Sequence, residues 1–157
     1  MKRQSAIFAV SLVALATLAG CGSDDFEPYD VCAPLTDAQY SALPAKLSEA
    51  GLFADIKTEQ LADRVWLYKP RFTLWTDGAT KRRWISMPAG KAVDVSDMDD
   101  WRFPVGTKLF KEFVRDGVRV ETRLLLKTGS RDADWSMAAY IWDQSQTDAT
   151  LALDGGQ

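Results

Sequence analysis

The sequence predicts a mainly β protein, an antiparallel β-sandwich or partly open barrel with short N-terminal helices. Three observations carry that expectation. From Val65 onward the apolar runs are short and rich in aromatic and β-branched residues. Turn signals recur about every 8–12 residues. No helical pattern separates the runs, so successive strands are expected to pair antiparallel.

The elements follow in chain order. Lys2 and Arg3 precede an uncharged run from Ser5 to Gly20. That run suits a signal-peptide core and falls short of the run of about 20 apolar residues that spans a bilayer. It ends in Leu18-Ala19-Gly20-Cys21, which resembles the lipobox of bacterial lipoproteins. The resemblance implies a signal peptide over residues 1–20 and a lipid on Cys21. The alternative is a buried helix followed by an incidental cysteine. Gly22-Ser23-Asp24-Asp25 opens a flexible acidic tether over residues 21–34. Gly after the lipid-bearing cysteine, by resemblance to sorting in enteric-type bacteria, implies the outer membrane rather than the inner. The chain is then expected to sit in the cell envelope, facing the periplasm or the surface.

Residues 35–64 read as a short helical segment. Thr36-Asp37-Ala38-Gln39 has the form of a capping box. Pro44 ends that helix or starts another, since it has no N–H to donate. Ala45 to Ala50 can make about a turn and a half before Gly51, which suits the left-handed residue at a helix end. Thr58 to Asp63 allows one more helical turn. Strands are then expected at Val65–Tyr68, Lys81–Met87, Lys91–Val95, Thr107–Arg115, Val118–Lys127 and Trp135–Trp142. The turns between them are Thr76-Asp77-Gly78, Pro88-Ala89-Gly90, Pro104-Val105-Gly106, Asp116-Gly117 and Thr128-Gly129-Ser130. The β domain spans residues 65–153, and a tail over 154–157 is expected to be loose.

Composition narrows function. Of the 157 residues, the 137 after the leader carry 17 basic against 22 acidic side chains, a net charge of −5. Phosphate contacts need clustered positive charge, so nucleic acid is a poor partner. The one basic run, Lys81-Arg82-Arg83, is broken by Trp84 and reads as strand surface. If Cys21 is lipidated, Cys32 has no partner within the chain, so no disulfide framework exists. Cys32 is then buried, paired with another chain, or bonded to a segment beyond this one. The chain has no histidine. Ser-His-Asp and Cys-His nucleophiles, His-ligated zinc and CxxCH haem attachment are therefore excluded. No catalytic residue, cofactor or resident metal is expected.

Asp116-Gly117 is a two-residue hairpin signal, since both turn positions want positive φ. Regular pairing sets Phe113 against Val120, Lys111 against Thr122 and Leu109 against Leu124 on an inner face. The other face then pairs Phe110 with Arg123, Glu112 with Glu121, and Val114 with Arg119. Two carboxylates directly opposed should repel. Three outcomes follow: an ion ladder with Arg119 and Arg123, a carboxylate pair sharing a proton or a divalent cation, or a bulge that separates the two.

Six tryptophans are many for this length. Trp135, Met137, Ala139 and Ile141 share one strand face, which reads as core. Trp75 and Trp142 adjoin polar turn residues and are the candidate aromatic ligand contacts, with carbohydrate as the ligand such rings would stack on. A polar site, if present, would draw on Asp77, Lys81, Glu121, Arg123 and Asp143.

Five blocks occur in one order: "LSEAGLF" (Leu47–Phe53), "LWTDGATKRRWISMPAG" (Leu74–Gly90), "FPVGTKLFKEF" (Phe103–Phe113), "ETRLLL" (Glu121–Leu126) and "YIWDQSQTDATL" (Tyr140–Leu151). Together they resemble the N-terminal module of a family of uncharacterised exported bacterial proteins that usually continue into a c-type-cytochrome-like CxxCH segment. The resemblance implies proximity to other envelope proteins and a possible cytochrome-like partner. This chain ends where the haem-bearing half would begin and has no histidine, so haem function does not carry over. Lys111, Glu121 and Arg123 are charged positions within the blocks.

The expectation is therefore a lipid-anchored envelope protein, in contact with the membrane through Cys21, acting as a non-enzymatic interaction or assembly module. The alternatives are the haem-lacking half of an exported redox protein and a carbohydrate-binding lipoprotein.

Overall fold

Alternating burial along the chain from Val65 onward resolves into one antiparallel meander. The computed structural model describes residues 43–152. The leader, Cys21, the tether, Cys32, the Thr36 capping box and the 154–157 tail lie outside the described residues. Within them the chain is mainly β, with eight strands in two antiparallel sheets.

The first ordered element is a single 3-10 turn at Leu47–Glu49, ended by Gly51 in the left-handed region at φ 83°. A substituent at Gly51 would also crowd the Lys108 ammonium. Strands β1 (Phe53–Asp55) and β2 (Gln60–Leu61) then pair as a small hairpin. This corrects the helical turn expected over Thr58–Asp63. The Asp55 carboxylate accepts from the Lys57 N–H at 2.9 Å, and Glu59 takes a left-handed φ of 55°. Both close a tight turn where a helix would need right-handed φ throughout.

The main sheet runs in sequence order: β3 (Val65–Leu67), β4 (Thr80–Ser86), β5 (Lys108–Arg115), β6 (Val118–Lys127), β7 (Trp135–Trp142) and β8 (Ala149–Ala152). It is open, not closed into a barrel. Lys91–Val95, expected as a strand, supplies only a bridge between Asp94 and Arg102. There the Asp94 carboxylate accepts from Ser96 N–H and the Asp97 carboxylate from Asp99 N–H. Such local turns compete with ladder pairing. Strand β8, which alanines disguise in the sequence, is held on its outer edge by a bridge between Lys46 and Thr150.

One face of the sheet is covered by the N-terminal segment. Leu47, Leu52, Phe53 and Ile56 pack on Trp84, Phe110, Leu124, Ala138, Tyr140 and Trp142. Full burial of each large apolar side chain contributes roughly 1.5–3 kcal/mol. The Tyr140 hydroxyl donates to the Pro44 carbonyl at 3.1 Å, tying the incoming chain to β7. The faces of β7 are therefore the reverse of the expected ones. Ser136, Ala138, Tyr140 and Trp142 point into the core, while Trp135, Met137 and Ile141 lie on the open face.

The hairpin register also departs from regular pairing. Val114 faces Arg119 as expected, but Phe113 faces Glu121, Glu112 faces Thr122 and Lys111 faces Arg123. Val120 is the extra residue of a bulge. Asp116 and Gly117 both take positive φ, at 50° and 80°, as the turn requires.

Candidate functional site

The bulge decides where every charged group of the hairpin goes. Because one residue is inserted, Glu112 and Glu121 end on opposite faces of the sheet. The opposed carboxylate pair, with its shared proton or cation, does not form. Each glutamate instead organises its own cluster.

On the covered face Glu112 is wholly buried, at 0% exposure. Arg82, its cross-strand neighbour on β4, donates from Nε to Glu112 Oε1 at 2.6 Å. The same guanidinium grips Glu59 with two further bonds at 2.6 and 3.2 Å. Arg119 joins Glu59 at 3.1 Å, lies 3.7 Å from the centre of the Trp142 ring, and is held by both ends of the Gln146 side chain and its carbonyl. Burial pushes the Glu112 carboxyl above its usual range, against the pull of Arg82. Glu59 moves the other way, because Arg82 hydrogen-bonds its charged form. Glu112 Oε2 is buried and accepts no hydrogen bond. This network joins the β1–β2 turn, β4, β5, β6 and the β7–β8 loop.

The open face carries the second cluster. Lys81, Phe113 and Glu121 lie in one cross-strand row, beside Arg83, Lys111 and Arg123. Glu121 is 2% exposed and pairs with Arg123. Lys111 and Arg123 both approach the Phe113 ring, at 4.7 and 4.9 Å. Burial, then repulsion from Lys81, Arg83 and Arg123, lowers the Lys111 pKa. Lys81, Arg83, Lys111 and Arg123 thus face a single carboxylate. A pocket of about 180 Å³ opens at the upper end of this row, lined by Ala79, Phe113, Arg115, Val120, Glu121 and Arg123.

The expected polar site is brought together only in part. Lys81, Glu121 and Arg123 share the open face, and Lys81 Nζ donates to the Leu74 carbonyl at 2.8 Å. Asp77 sits at φ 47° in the turn before β4, whose closing bonds run between Thr76 and Ala79. Asp143 belongs to the β7–β8 loop. Its carboxylate accepts from Thr147 N–H, from the Ser145 and Thr147 hydroxyls at 2.9 Å, and from Asp148 N–H. Those bonds hold its pKa below the ordinary aspartate range. Trp142, expected as a ligand contact, is a core ring at 6% exposure whose Nε1 donates to the Thr122 hydroxyl at 3.0 Å. Trp75 is fully displayed, 82% exposed, on the β3–β4 loop.

No family model, curated protein or solved structure matches the chain. The chemistry must therefore be read from these two clusters. Glu59, Arg82 and Gln146 do not figure among the sequence candidates, and Arg119 figures only as a rung of the expected ion ladder. A correct register alone would have drawn in Arg82 and Arg119. Glu59 lies in a turn without a strand pattern, so its role depends on the fold.

Proposed function

We propose that the protein is a lipid-anchored module of the bacterial cell envelope that works by binding, without catalysis of its own. The observation that carries this reading is the division of labour between the two sheet faces. Carboxylates on the covered face and in the loops are occupied by structural bonds: Glu59 and Glu112 hold Arg82, and Asp143 holds its own loop. The open face presents cations and half-exposed apolar side chains, and among the described residues no second large sheet lies over it. The module works as a shallow sandwich whose second layer is the 3-10 turn and the β1–β2 hairpin.

Anchoring rests on the lipobox ending in Cys21, and the outer membrane on Gly22. Labelling with palmitate in the wild type and in Cys21→Ser tests it. Label on the wild type alone supports the anchor, and an unlabelled wild type removes it.

The haem-lacking half of an exported redox protein is the second reading. Four of its five sequence blocks fall on β4–β5, β6 and β7–β8, and the fifth covers the turn and strand beneath them, so the resemblance follows one folded unit. Reading the genomic DNA past codon 157 for CxxCH tests it. The carbohydrate reading loses Trp142 to the core.

A further inference from the structure

The antiparallel order places the β3–β4 loop (residues 68–79) and the Asp116-Gly117 turn at one end of the sheet. That loop reads Lys-Pro-Arg-Phe-Thr-Leu-Trp over residues 69–75. Phe72, Leu74 and Trp75 are 80%, 78% and 82% exposed. Three large, highly exposed apolar side chains within four residues are an unusual burden for a protein in water, where such patches mark contact sites. Arg71 lies 5.5 Å from the Phe72 ring. The loop's base, at Ala79, forms one wall of the pocket that holds Arg115 and the Arg123–Glu121 pair.

From these features we infer that this end of the sheet is a docking surface for an anionic phospholipid bilayer. Phe72, Leu74 and Trp75 enter the interface, and Arg115, exposed at the rim of the pocket, meets a lipid phosphate, while Arg123 stays paired with Glu121. The chemistry favours a bilayer over a protein groove. Trp, Phe and Leu on an exposed loop, preceded by Lys69 and Arg71, combine apolar side chains with nearby cations as interfacial insertion requires. Anionic headgroups attract such cations electrostatically, and salt screens the attraction.

Charge is arranged to match. The loop and open face carry Lys69, Arg71, Lys81, Lys111, Arg115 and Arg123, together with Asp77, Asp116 and Glu121. Of these carboxylates Glu121 is paired with Arg123, and Asp116 sits 3.9 Å from Arg115. The other acids at this end are engaged inward: Glu59 by Arg82 and Arg119, Asp143 by its loop, and Asp148 by Ser48. The opposite end of the sheet carries six aspartates against Lys91, Arg102 and Arg131. Asp100 and Asp134 are paired with Arg102 and Arg131. The remaining acids, Asp94, Asp97, Asp99 and Asp132, outnumber Lys91, so this end would be held away from an anionic surface.

This docking deepens the envelope reading by naming what the module meets there, but it does not need the lipid on Cys21. The chain joins the sheet beside β8, where Lys46 bridges Thr150 and the Ser48 hydroxyl donates to Asp148. The 21 residues between Cys21 and Leu43 can span up to about 70 Å when extended. That exceeds the roughly 33 Å length of a ten-residue strand, so lipid and tip can reach one surface.

The test uses the full chain with Cys21→Ser, sedimented with vesicles of phosphatidylglycerol and phosphatidylethanolamine, or of phosphatidylcholine alone. The expected result is binding to the anionic vesicles that weakens at least tenfold on neutral ones and again at high salt. Phe72→Ala/Trp75→Ala and Arg115→Glu should each weaken it at least tenfold, with thermal melting unchanged because these side chains are exposed. Lys91→Ala, at the acidic end, should leave it unchanged. Absence of vesicle binding, equal binding to neutral vesicles, or indifference to the Phe72/Trp75 pair would each overturn the inference. Full competition by millimolar glycerol phosphate would reassign the pocket to a soluble phosphate and also overturn it. Vesicle binding without palmitate label on the wild type would sink the anchor and leave the docking surface standing. Label without vesicle binding would do the reverse.

Discussion

Arg82→Ala isolates the buried network. Arg82 donates to the fully buried Glu112 at 2.6 Å and grips Glu59 with two bonds. Its removal leaves a carboxylate with no exposed surface and no directly bonded counter-charge, Arg119 acting only from a distance. Breaking a buried pair in this way costs about 3–5 kcal/mol. Arg82 itself is one-third exposed, so the lower bound applies, about 3 kcal/mol at pH 7. At about 4 °C per kcal/mol for a domain of this size, melting should fall by about 12 °C. The pH dependence has a definite sign. Glu112 is raised above the usual 4.5, so its contribution is fully present below that value and lost as pH rises through the folded-state pKa. Glu59 is lowered, so its contribution exists above 4.5 and is lost as pH falls through its folded-state value. Without Arg82, Glu112 moves further up and Glu59 loses its advantage. Both changes make the Arg82→Ala deficit largest at neutral pH and smaller below pH 4.5. Adding Glu112→Gln to Arg82→Ala should restore more than half of the loss at pH 7. Urea denaturation at pH 7 and pH 4 measures all three proteins. A deficit under about 1 kcal/mol at pH 7, or no recovery in the double variant, refutes the account of Glu112 as a buried charge held by Arg82.

Gly51→Ala meets both a left-handed φ and the Lys108 ammonium, and should lose roughly 1–2 kcal/mol in urea denaturation. Trp142→Phe removes the bond to Thr122 and shrinks the ring under Arg119. A loss of about 2 kcal/mol is expected in melting, with Arg119→Ala adding less in the Trp142→Phe background than in the wild type. Asp143→Ala should speed amide exchange at Thr147 and Asp148, whose N–H groups it caps, while Asp143→Asn, with one acceptor oxygen in place of two, should preserve protection at only one of them.

The strands most legible in the sequence are those with the strongest turn signals at their ends. Strands β6 and β7 begin and end at the expected residues, and β5 starts one residue late. Apolar runs bounded by Gly and Asp are local information, and local information was enough. Face assignment was not local. The insertion of Val120 changes the parity of everything after it in β6, and no residue in the hairpin announces it. The apolar content of Trp135, Met137, Ala139 and Ile141 pointed to the wrong side of β7. The core side is instead made of Ala138, Tyr140 and Trp142, whose polar tips find Pro44 and Thr122. Those partners lie 96 and 20 residues away, beyond any periodicity window. Asp143 is misread for a different reason: its partners are its own neighbours in the loop, and a polar turn gives no periodic signal that they will bond one another.

The bulge also explains how one short sheet carries two charge systems without mixing them. In a regular hairpin Glu112 and Glu121 would share a face with Arg119 and Arg123, and each cation would be claimed by both acids. Val120 sends Glu112 and Arg119 to the covered face and Glu121 and Arg123 to the open one. On the covered side the charges become a fixed brace, closed off by Trp84 and Trp142. On the open side Glu121 balances Arg123 alone, so Lys81, Arg83 and Lys111 keep their charge facing outward. Deleting Val120 separates these roles experimentally, since it restores regular pairing between Phe113 and Glu121 while Arg119 still faces Val114. The deletion should therefore fold with both ion systems intact, at a stability within about 1 kcal/mol of the wild type. It removes one wall of the Arg115–Arg123 pocket, so it should weaken binding to anionic vesicles. A deletion variant that fails to fold would mean that the bulge itself, beyond the pairing of Val114 with Arg119 set by the Asp116-Gly117 turn, is needed to form the hairpin.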